Sequence, residues 1–393
     1  MRLLFINYEF PPLGGGGGNA NAQIAREMAR LGHQVVVLTS RFKGLPNKET
    51  RDGYLIVRIP TLRRYREKCR IFEMAVFMLS SIFYALKWVR RWRPDMSIAF
   101  FTIPGAPAAW ALKRFYRIPY IVSLRGGDVP GFMPTQLWFY HRVTARLIRF
   151  LWKGAQSVVA NSEGLKRLAL NTGRGLDIEM IPNGVDSSFF SLTLPPHKVA
   201  PLWGQGGGEK PNPPAFRLMT AGRLTEQKGI DTLLQAFARM KPHLQKPVQL
   251  WIVGDGPMRS SLEDLTAYLG IRDDVFFLGW RDRETLKTFY SSVDLFVLPS
   301  NDEGMPNVVL EAMAMGLPVV ATSVAGTREL ICEGKNGYLV PPKNPEALAE
   351  ILLQLIHRED LLKEMSRHSL ALSQNYDWKT VAIEYLRLCE TAA

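Results

Sequence analysis

Short runs of apolar residues, each long enough for one strand, recur along the chain with helical stretches between them. In the first half they fall at residues 3–6 (LLFI), 35–38, 55–59, 96–100, 120–123, 157–160 and 179–181. In the second half they fall at 216–221, 249–253, 275–278, 295–298, 319–321 and 337–340. Runs that are apolar throughout, without alternation, predict strands buried on both faces, and helices between them predict parallel sheets covered on both sides. Helices are expected near 21–31, 229–240, 258–270, 283–291, 306–315, 345–357 and 358–373. The stretch 194–214 is rich in Pro and Gly, has no period and reads as a linker or surface loop. The pattern therefore predicts an α/β chain with two doubly wound parallel-sheet, Rossmann-like domains. Residues 1–190 form the first, 191–215 the linker and 216–375 the second. Open parallel sheets bind ligands at the carboxyl ends of their strands, so a central cleft faced by both domains is the expected site.

Length and composition agree. A chain of 393 residues suits two domains. Three cysteines with no CxxC pair exclude a disulfide scaffold and a cysteine zinc site. Charge adds more. Residues 1–190 hold 28 Lys/Arg against 12 Asp/Glu, and residues 191–393 hold 21 against 24, so the first half carries +16 and the second −3 of the net +13. Such a half is expected to meet an anionic partner: nucleic acid, an anionic lipid surface or a phosphorylated substrate. A solubility charge with no partner is the bland alternative.

Two segments bear on the membrane. Residues 71–88 (IFEMAVFMLSSIFYALKW) are strongly apolar but carry Glu73 and Lys87, which argues for a buried or half-buried helix over a spanning one. Arg63, Arg64, Arg66, Lys68 and Arg70 precede it, and Arg90, Arg91 and Arg93 follow. Residues 132–152 mix Trp138, Phe139, Tyr140, Phe150 and Trp152 with Arg142, Arg146 and Arg149. Both fit an anionic membrane surface, and both fit ordinary helices with a basic outer face. The apolar run at residues 3–6 is too short for a signal-peptide core, so a cytoplasmic location is expected, with the inner membrane face as a peripheral site.

Four strand-to-helix loops carry candidate chemistry. After the run 295–298 comes EGMPN at 303–307, with Glu311 further on. Pro306 suits a first helical turn, and the amides around Gly304, Met305 and Asn307 would open a helix start, an anion site. Glu303 and Glu311 could hold sugar and ribose hydroxyls; alternatively they are a helix-start charge and a solvated residue. After the run 216–221 comes GRLTEQKG at 222–229, where Arg223 and Lys228 suit a diphosphate, the first as a fork and the second as a point charge. Gly222 opens this loop, and Gly254 opens the loop after 249–253. Five glycines at 14–18 would let the backbone near Gly16 and Gly17 approach a phosphate or sugar. The fourth loop, RGGD at 125–128, offers Arg125 as a phosphate or acceptor contact and Asp128 to orient a hydroxyl; an internal Arg–Asp pair reads equally well.

The chain resembles glycosyltransferase family 4, retaining enzymes of the GT-B fold. The likeness rests on the glycine-rich opening, IPNGVD at 181–186, GRLTEQKG, VGDGP at 253–257 and EGMPNVVLE at 303–311. It implies that Arg223 and Lys228 stabilise a leaving diphosphate and that Glu303 touches the donor sugar. It also implies that Gly304, Met305 and Asn307 support sugar and phosphate, that Glu311 holds the ribose, and that residues 376–393 form a final helix crossing back to the first domain. Many members carry a His in the loop that here reads RGGD; Asp128 is taken as its substitute. The reaction implied moves a hexose-type sugar from a UDP- or GDP-sugar to an acceptor hydroxyl of a glycan or lipid-linked glycan. No Asp-x-Asp triplet occurs, so no metal is implied, and no cofactor. The alternatives are a nucleotide-sugar epimerase or hydrolase of the same fold and a basic nucleic-acid-binding protein, the latter without a recognisable binding motif.

Overall fold

The computed structural model describes residues 1–65, 69–191 and 215–390. The chain divides into two compact units, Met1–Gly184 with Trp378–Ala393, and Val185–Asp377.

The first unit runs β1 (Arg2–Ile6), α1 (Gly16–Arg30), β2 (Gln34–Ser40), β3 (Lys48–Arg51), β4 (Tyr54–Ile59), α2 (Ile71–Val89), β5 (Met96–Phe100), α3 (Thr102–Tyr116), β6 (Tyr120–Ser123), α4 (Pro134–Gly154), β7 (Ser157–Ala160), α5 (Glu163–Thr172) and β8 (Ile178–Met180). These strands form one sheet in the order β3-β4-β2-β1-β5-β6-β7-β8. All neighbours are parallel except β3, which pairs antiparallel with β4 at the edge. The sequence KETR of β3 is polar and exposed, so no apolar run announced it. Both faces are covered. Phe77, Ala85, Leu112, Ile148 and Leu151, from α2, α3 and α4, pack on one. On the other, Ile24 and Met28 of α1 pack with Trp378, Val381, Tyr385 and Leu386.

The second unit runs β9 (Phe216–Ala221), α6 (Ile230–Met240), β10 (Val248–Val253), α7 (Arg259–Tyr268), β11 (Val275–Gly279), α8 (Arg283–Tyr290), β12 (Leu295–Leu298), α9 (Asn307–Ala314), β13 (Val319–Thr322), α10 (Thr327–Leu330), β14 (Gly337–Val340), α11 (Pro345–Ile356) and α12 (Glu359–Ser373). Its six strands, all parallel, lie in the order β11-β10-β9-β12-β13-β14. The order reverses between β9 and β12, so the loops after these two strands share one carboxyl edge, the usual ligand position in such sheets. The last helix, α13 (Trp378–Glu390), belongs to the first unit.

Three expectations need correction. The first helix starts at Gly16, not near residue 21. Glycine is a poor helix former, but a Cβ at Gly17 would lie 2.6 Å from the Phe101 ring and one at Gly18 3.2 Å from the Glu9 carbonyl, so close packing requires glycine inside the first turn. Secondly, the chain leaves the first unit at Gly184, not at 190. Asp186 pairs with Arg283 at 3.1 Å, and Phe190 packs edge-on against Tyr290, which ties the intervening residues to the second unit. Thirdly, Pro306 caps α9 in extended geometry and does not lie within its first turn. The expected linker, apart from its terminal residues 191 and 215, and the basic residues Arg66 and Lys68 lie outside the described residues.

Candidate functional site

In the second unit, the loops after β9 and β12 are stitched edge to edge. The Asn301 backbone N–H donates to the Gln227 carbonyl (2.7 Å), and the Asn301 Nδ2 donates to the Glu226 carbonyl (2.8 Å). Gln227 Nε2 returns a bond to the Asp302 carbonyl (2.9 Å). The seam ends on a charge pair, Lys228 Nζ to Glu303 Oε1 at 2.5 Å. The same oxygen accepts from Ser300 Oγ at 2.7 Å, and Thr322 Oγ1 holds the Ser300 carbonyl. Glu303 is only 6% exposed, so this carboxylate is held by design of the seam and not by chance on a surface. Breaking such a buried pair on one side leaves an uncompensated charge, which is strongly destabilising. Arg223 lies exposed at the opening of the β9 loop.

Two close backbone approaches set this edge. Gly222 and Gly254 both have positive φ, and a Cβ at Gly254 would sit 1.9 Å from the Gly222 carbonyl oxygen. A Cβ at Gly326 would sit 2.1 Å from the Gly304 carbonyl oxygen, so the turn leading into α10 presses directly beneath the loop that carries Glu303, Gly304 and Met305. Beyond that loop Pro306 caps α9, and Asn307 begins it, directing the positive end of the helix toward the carboxyl edge of the sheet.

Glu311 lies one turn inside α9. Tyr290 OH donates to its Oε2 at 3.1 Å and also reaches the Val308 carbonyl at 3.3 Å. Burial raises the Glu311 carboxyl to about 7, against the smaller opposing pulls of the Tyr290 hydrogen bond and the Arg283 charge. Arg283 itself lies over the Phe189 ring at 4.1 Å. Tyr290 and Arg283 carry no signal in the sequence, where an aromatic at the end of an amphipathic helix reads as core and an Arg at its start as surface.

In the first unit, α1 opens at Gly15 with its N–H donating to Glu9 Oε2 (3.2 Å). Gly16 and Gly17 therefore lie in the first turn of a helix, at its positive end. The RGGD loop follows β6. The Asp128 carboxylate is turned inward and 2% exposed: Oδ2 accepts from Thr102 N (2.8 Å) and Thr102 Oγ1 (3.1 Å), and Oδ1 from Arg125 N (2.9 Å). Burial raises its carboxyl, and these donors pull it back. Asp128 thus anchors the start of α3 to the loop, and both its oxygens are engaged within the unit. The anticipated Arg–Asp contact runs through the Arg125 backbone; its guanidinium instead donates to Asn183 Oδ1 (2.6 Å) and Tyr385 OH (3.3 Å) and lies over Phe100. Burial lowers the Arg125 pKa. His141, 5% exposed, braces the loop from α4: Nε2 meets the Gly127 carbonyl at 3.0 Å and Nδ1 the Gly131 N–H at 3.4 Å, a pair that fits the Nε2–H tautomer. Among the described residues no cluster of three or more His, Cys, Asp or Glu could hold a metal ion.

The model of the family "Glycosyltransferase Family 4" matches residues 14–189, and that of "Glycosyl transferases group 1" matches residues 209–370. The lipopolysaccharide core biosynthesis glycosyltransferase LpsE of Rhizobium meliloti is 28% identical across 76% of this chain and 76% of its own length. Among solved structures, sucrose-phosphate synthase from Thermosynechococcus elongatus superposes with a TM-score of 0.84 at 19% identity, covering 100% of this chain and 98% of that one. HepE of Anabaena, solved in complex with UDP-glucose, gives 0.75 at 21% identity, covering 100% and 99%.

Proposed function

The chain belongs to glycosyltransferase family 4, and we propose that it moves a hexose from a UDP- or GDP-linked donor to an acceptor hydroxyl, with retention of anomeric configuration, in the synthesis of a polysaccharide or lipid-linked glycan. The observation that carries this reading is the seam that brings Lys228 and Glu303 within 2.5 Å at the carboxyl edge where the strand order reverses. The UDP-glucose found in HepE supports a nucleotide-sugar donor, and the name of the Rhizobium relative supports a glycan acceptor.

In this reading the donor diphosphate lies along the β9 loop, with Arg223 and Lys228 as cations and the amides around Gly304, Met305 and Asn307 at the positive end of α9. Negative charge grows on the departing phosphate as the anomeric C–O bond breaks. Fixed cations and dipoles aimed at that charge lower the barrier without reorganising, commonly the largest catalytic term. Glu303 accepts hydroxyls of the transferred sugar, its position set by Lys228 and Ser300. Glu311 accepts the ribose hydroxyls. The leaving phosphate takes the acceptor proton as the acceptor oxygen bonds to the same face of the anomeric carbon, so no protein nucleophile is required.

Calorimetric titration with UDP- and GDP-sugars tests the donor. One of the two binds, and the Arg223→Ala/Lys228→Ala double variant loses on the order of 100-fold or more in kcat, the scale of removing a preorganised charge stabiliser. No binding by either donor, or turnover within a few-fold of wild type, overturns the assignment. Release of nucleotide without any acceptor would point to the hydrolase or epimerase alternative.

A further inference from the structure

Three neighbouring helices on one face of the first sheet carry an outer surface unlike the rest of the protein. α3 packs against both α2 and α4 and is largely buried, so α2 and α4 present the outer faces. In α2 the residues buried in the core recur every four positions: Glu73, Phe77, Ser81, Ala85 and Val89. The opposite stripe, Ile71, Ala75, Leu79 and Phe83, has the same spacing, is exposed, and is apolar as well. A surface helix ordinarily turns polar residues outward. Here Leu79 is 66% exposed and Phe83 62%. In α4 the outer face alternates large apolar residues with cations: Trp138 and Phe139, then Arg142 and Val143, then Arg146 and Leu147, then Arg149 and Phe150. Phe139 is 72% exposed, and Arg142 lies over the Trp138 ring at 5.6 Å.

The charge on these helices has one sign. Across α2, α3 and α4 there are one, two and four Lys/Arg respectively, against a single acidic residue. That residue, Glu73, is 3% exposed and accepts the Arg70 and Arg64 backbone N–H groups at the start of α2. Hence no carboxylate on the three helices faces outward. Clustered exposed aromatics and aliphatics interleaved with cations, with no anions, fit the headgroup–acyl boundary of an anionic bilayer. They do not fit a second copy of the same face, which would set like charges against each other.

We propose that the outer faces of α2 and α4 form a docking surface for an anionic lipid bilayer, on which the first unit lies without crossing. α2 is long and apolar enough to span by length and composition. Its inner stripe, however, is part of the core cluster, with Phe77 and Ala85 fully buried, and spanning would strip that packing away. The helix therefore inserts side chains and not its length. This surface is independent of the donor site in the second unit, so the inference stands or falls apart from the proposed reaction.

The test is co-flotation of the full-length protein with phosphatidylcholine vesicles, with and without phosphatidylglycerol, at low and high salt. Binding to the anionic vesicles only, weakened by salt, is expected. Changing Arg142, Arg146 and Arg149 together to Gln should weaken that binding on the order of 100-fold, since each cation near such a surface is worth about 1 kcal/mol, or roughly five-fold. Changing Leu79, Phe83 and Phe139 to Ser should abolish it. All these side chains point to solvent, and unchanged circular dichroism verifies the fold. Should a variant fail that check, the lipid and salt dependence of the wild-type protein decides by itself. Absence of binding to anionic vesicles at low salt, binding indifferent to both sets of changes, or a dimer in sedimentation that the apolar changes dissolve would each overturn the proposal.

Discussion

At the scale of single residues, the site is a set of side chains whose charge is set by what surrounds them. Glu311 is the sharpest case. A carboxyl raised from its ordinary 4.5 to about 7 is protonated in the folded protein where the unfolded chain is ionised. Its contribution to stability is therefore present below about pH 4.5 and lost as pH rises through about 7. Thermal unfolding across that window should show the wild-type protein losing stability relative to Glu311→Gln, which has no such proton. If the ionised form accepts ribose hydroxyls, nucleotide affinity should climb from pH 6 to 8 in the wild type and stay flat in the variant; calorimetry at about both pH values checks it. Equal pH profiles for the two proteins would remove Glu311 from that role. Glu303 has a lysine 2.5 Å away and a serine hydroxyl on the same oxygen, so its side chain is fixed in position.

At the scale of elements, loops after parallel strands do the positioning, and backbone contact between them is as decisive as side chains. The 1.9 Å separation between a Cβ at Gly254 and the Gly222 carbonyl oxygen is impossible for any other residue without moving one loop. Gly254→Ala should therefore cost at least about 2 kcal/mol in chemical denaturation, more than the change in helix or loop propensity alone. It should also weaken nucleotide binding by displacing Gly222 and with it Arg223. A variant as stable and as tightly binding as wild type would show that the loops yield freely. The glycine run at 14–18 shows the same logic inside a helix, where Phe101 and the Glu9 carbonyl occupy the room a side chain would need.

At the scale of the whole chain, the last helix returns to the unit in which the chain began. Trp378, Val381, Ala382, Tyr385, Leu386 and Cys389 of α13 are buried in the same cluster as Ile24 and Met28. Tyr385 OH meets Ser123 Oγ at 2.7 Å and receives Arg125 at 3.3 Å, so the helix completes the support of the RGGD loop. Removing residues 378–393 should lower the unfolding temperature of the first unit while leaving the second, which loses no buried partner from its own core, near its original value. Two resolved transitions in calorimetry, only one of them shifted, is the expected result; a single unshifted transition would contradict it. Deleting six buried side chains removes stabilisation worth about 1.5–3 kcal/mol for each large one.

Much of this was legible in the sequence, for identifiable reasons. Strands buried on both faces must be apolar throughout, so the runs at 216–221 and 295–298 declared themselves, and the loops that follow such strands are where sheets of this kind usually bind ligands. Lys228 and Glu303 could be named because their loops sit at fixed offsets from those runs. What the sequence could not reveal is which partner each side chain meets. Asp128 reads equally well as a carboxylate that orients a hydroxyl or as the ion-pair partner of Arg125, yet the fold spends both oxygens on Thr102 and the Arg125 backbone amide. Tyr290, Arg283, Asn183 and Tyr385 lie 21, 28, 58 and 260 residues from the groups they serve, and no local spacing encodes such contacts. Local periodicity is written in the chain because it follows from which faces are buried. Pairings across the sheet edge, the direction of Arg125 and the exposure of one apolar stripe of α2 arise only when distant segments compete for the same space, and tertiary packing alone settles that competition.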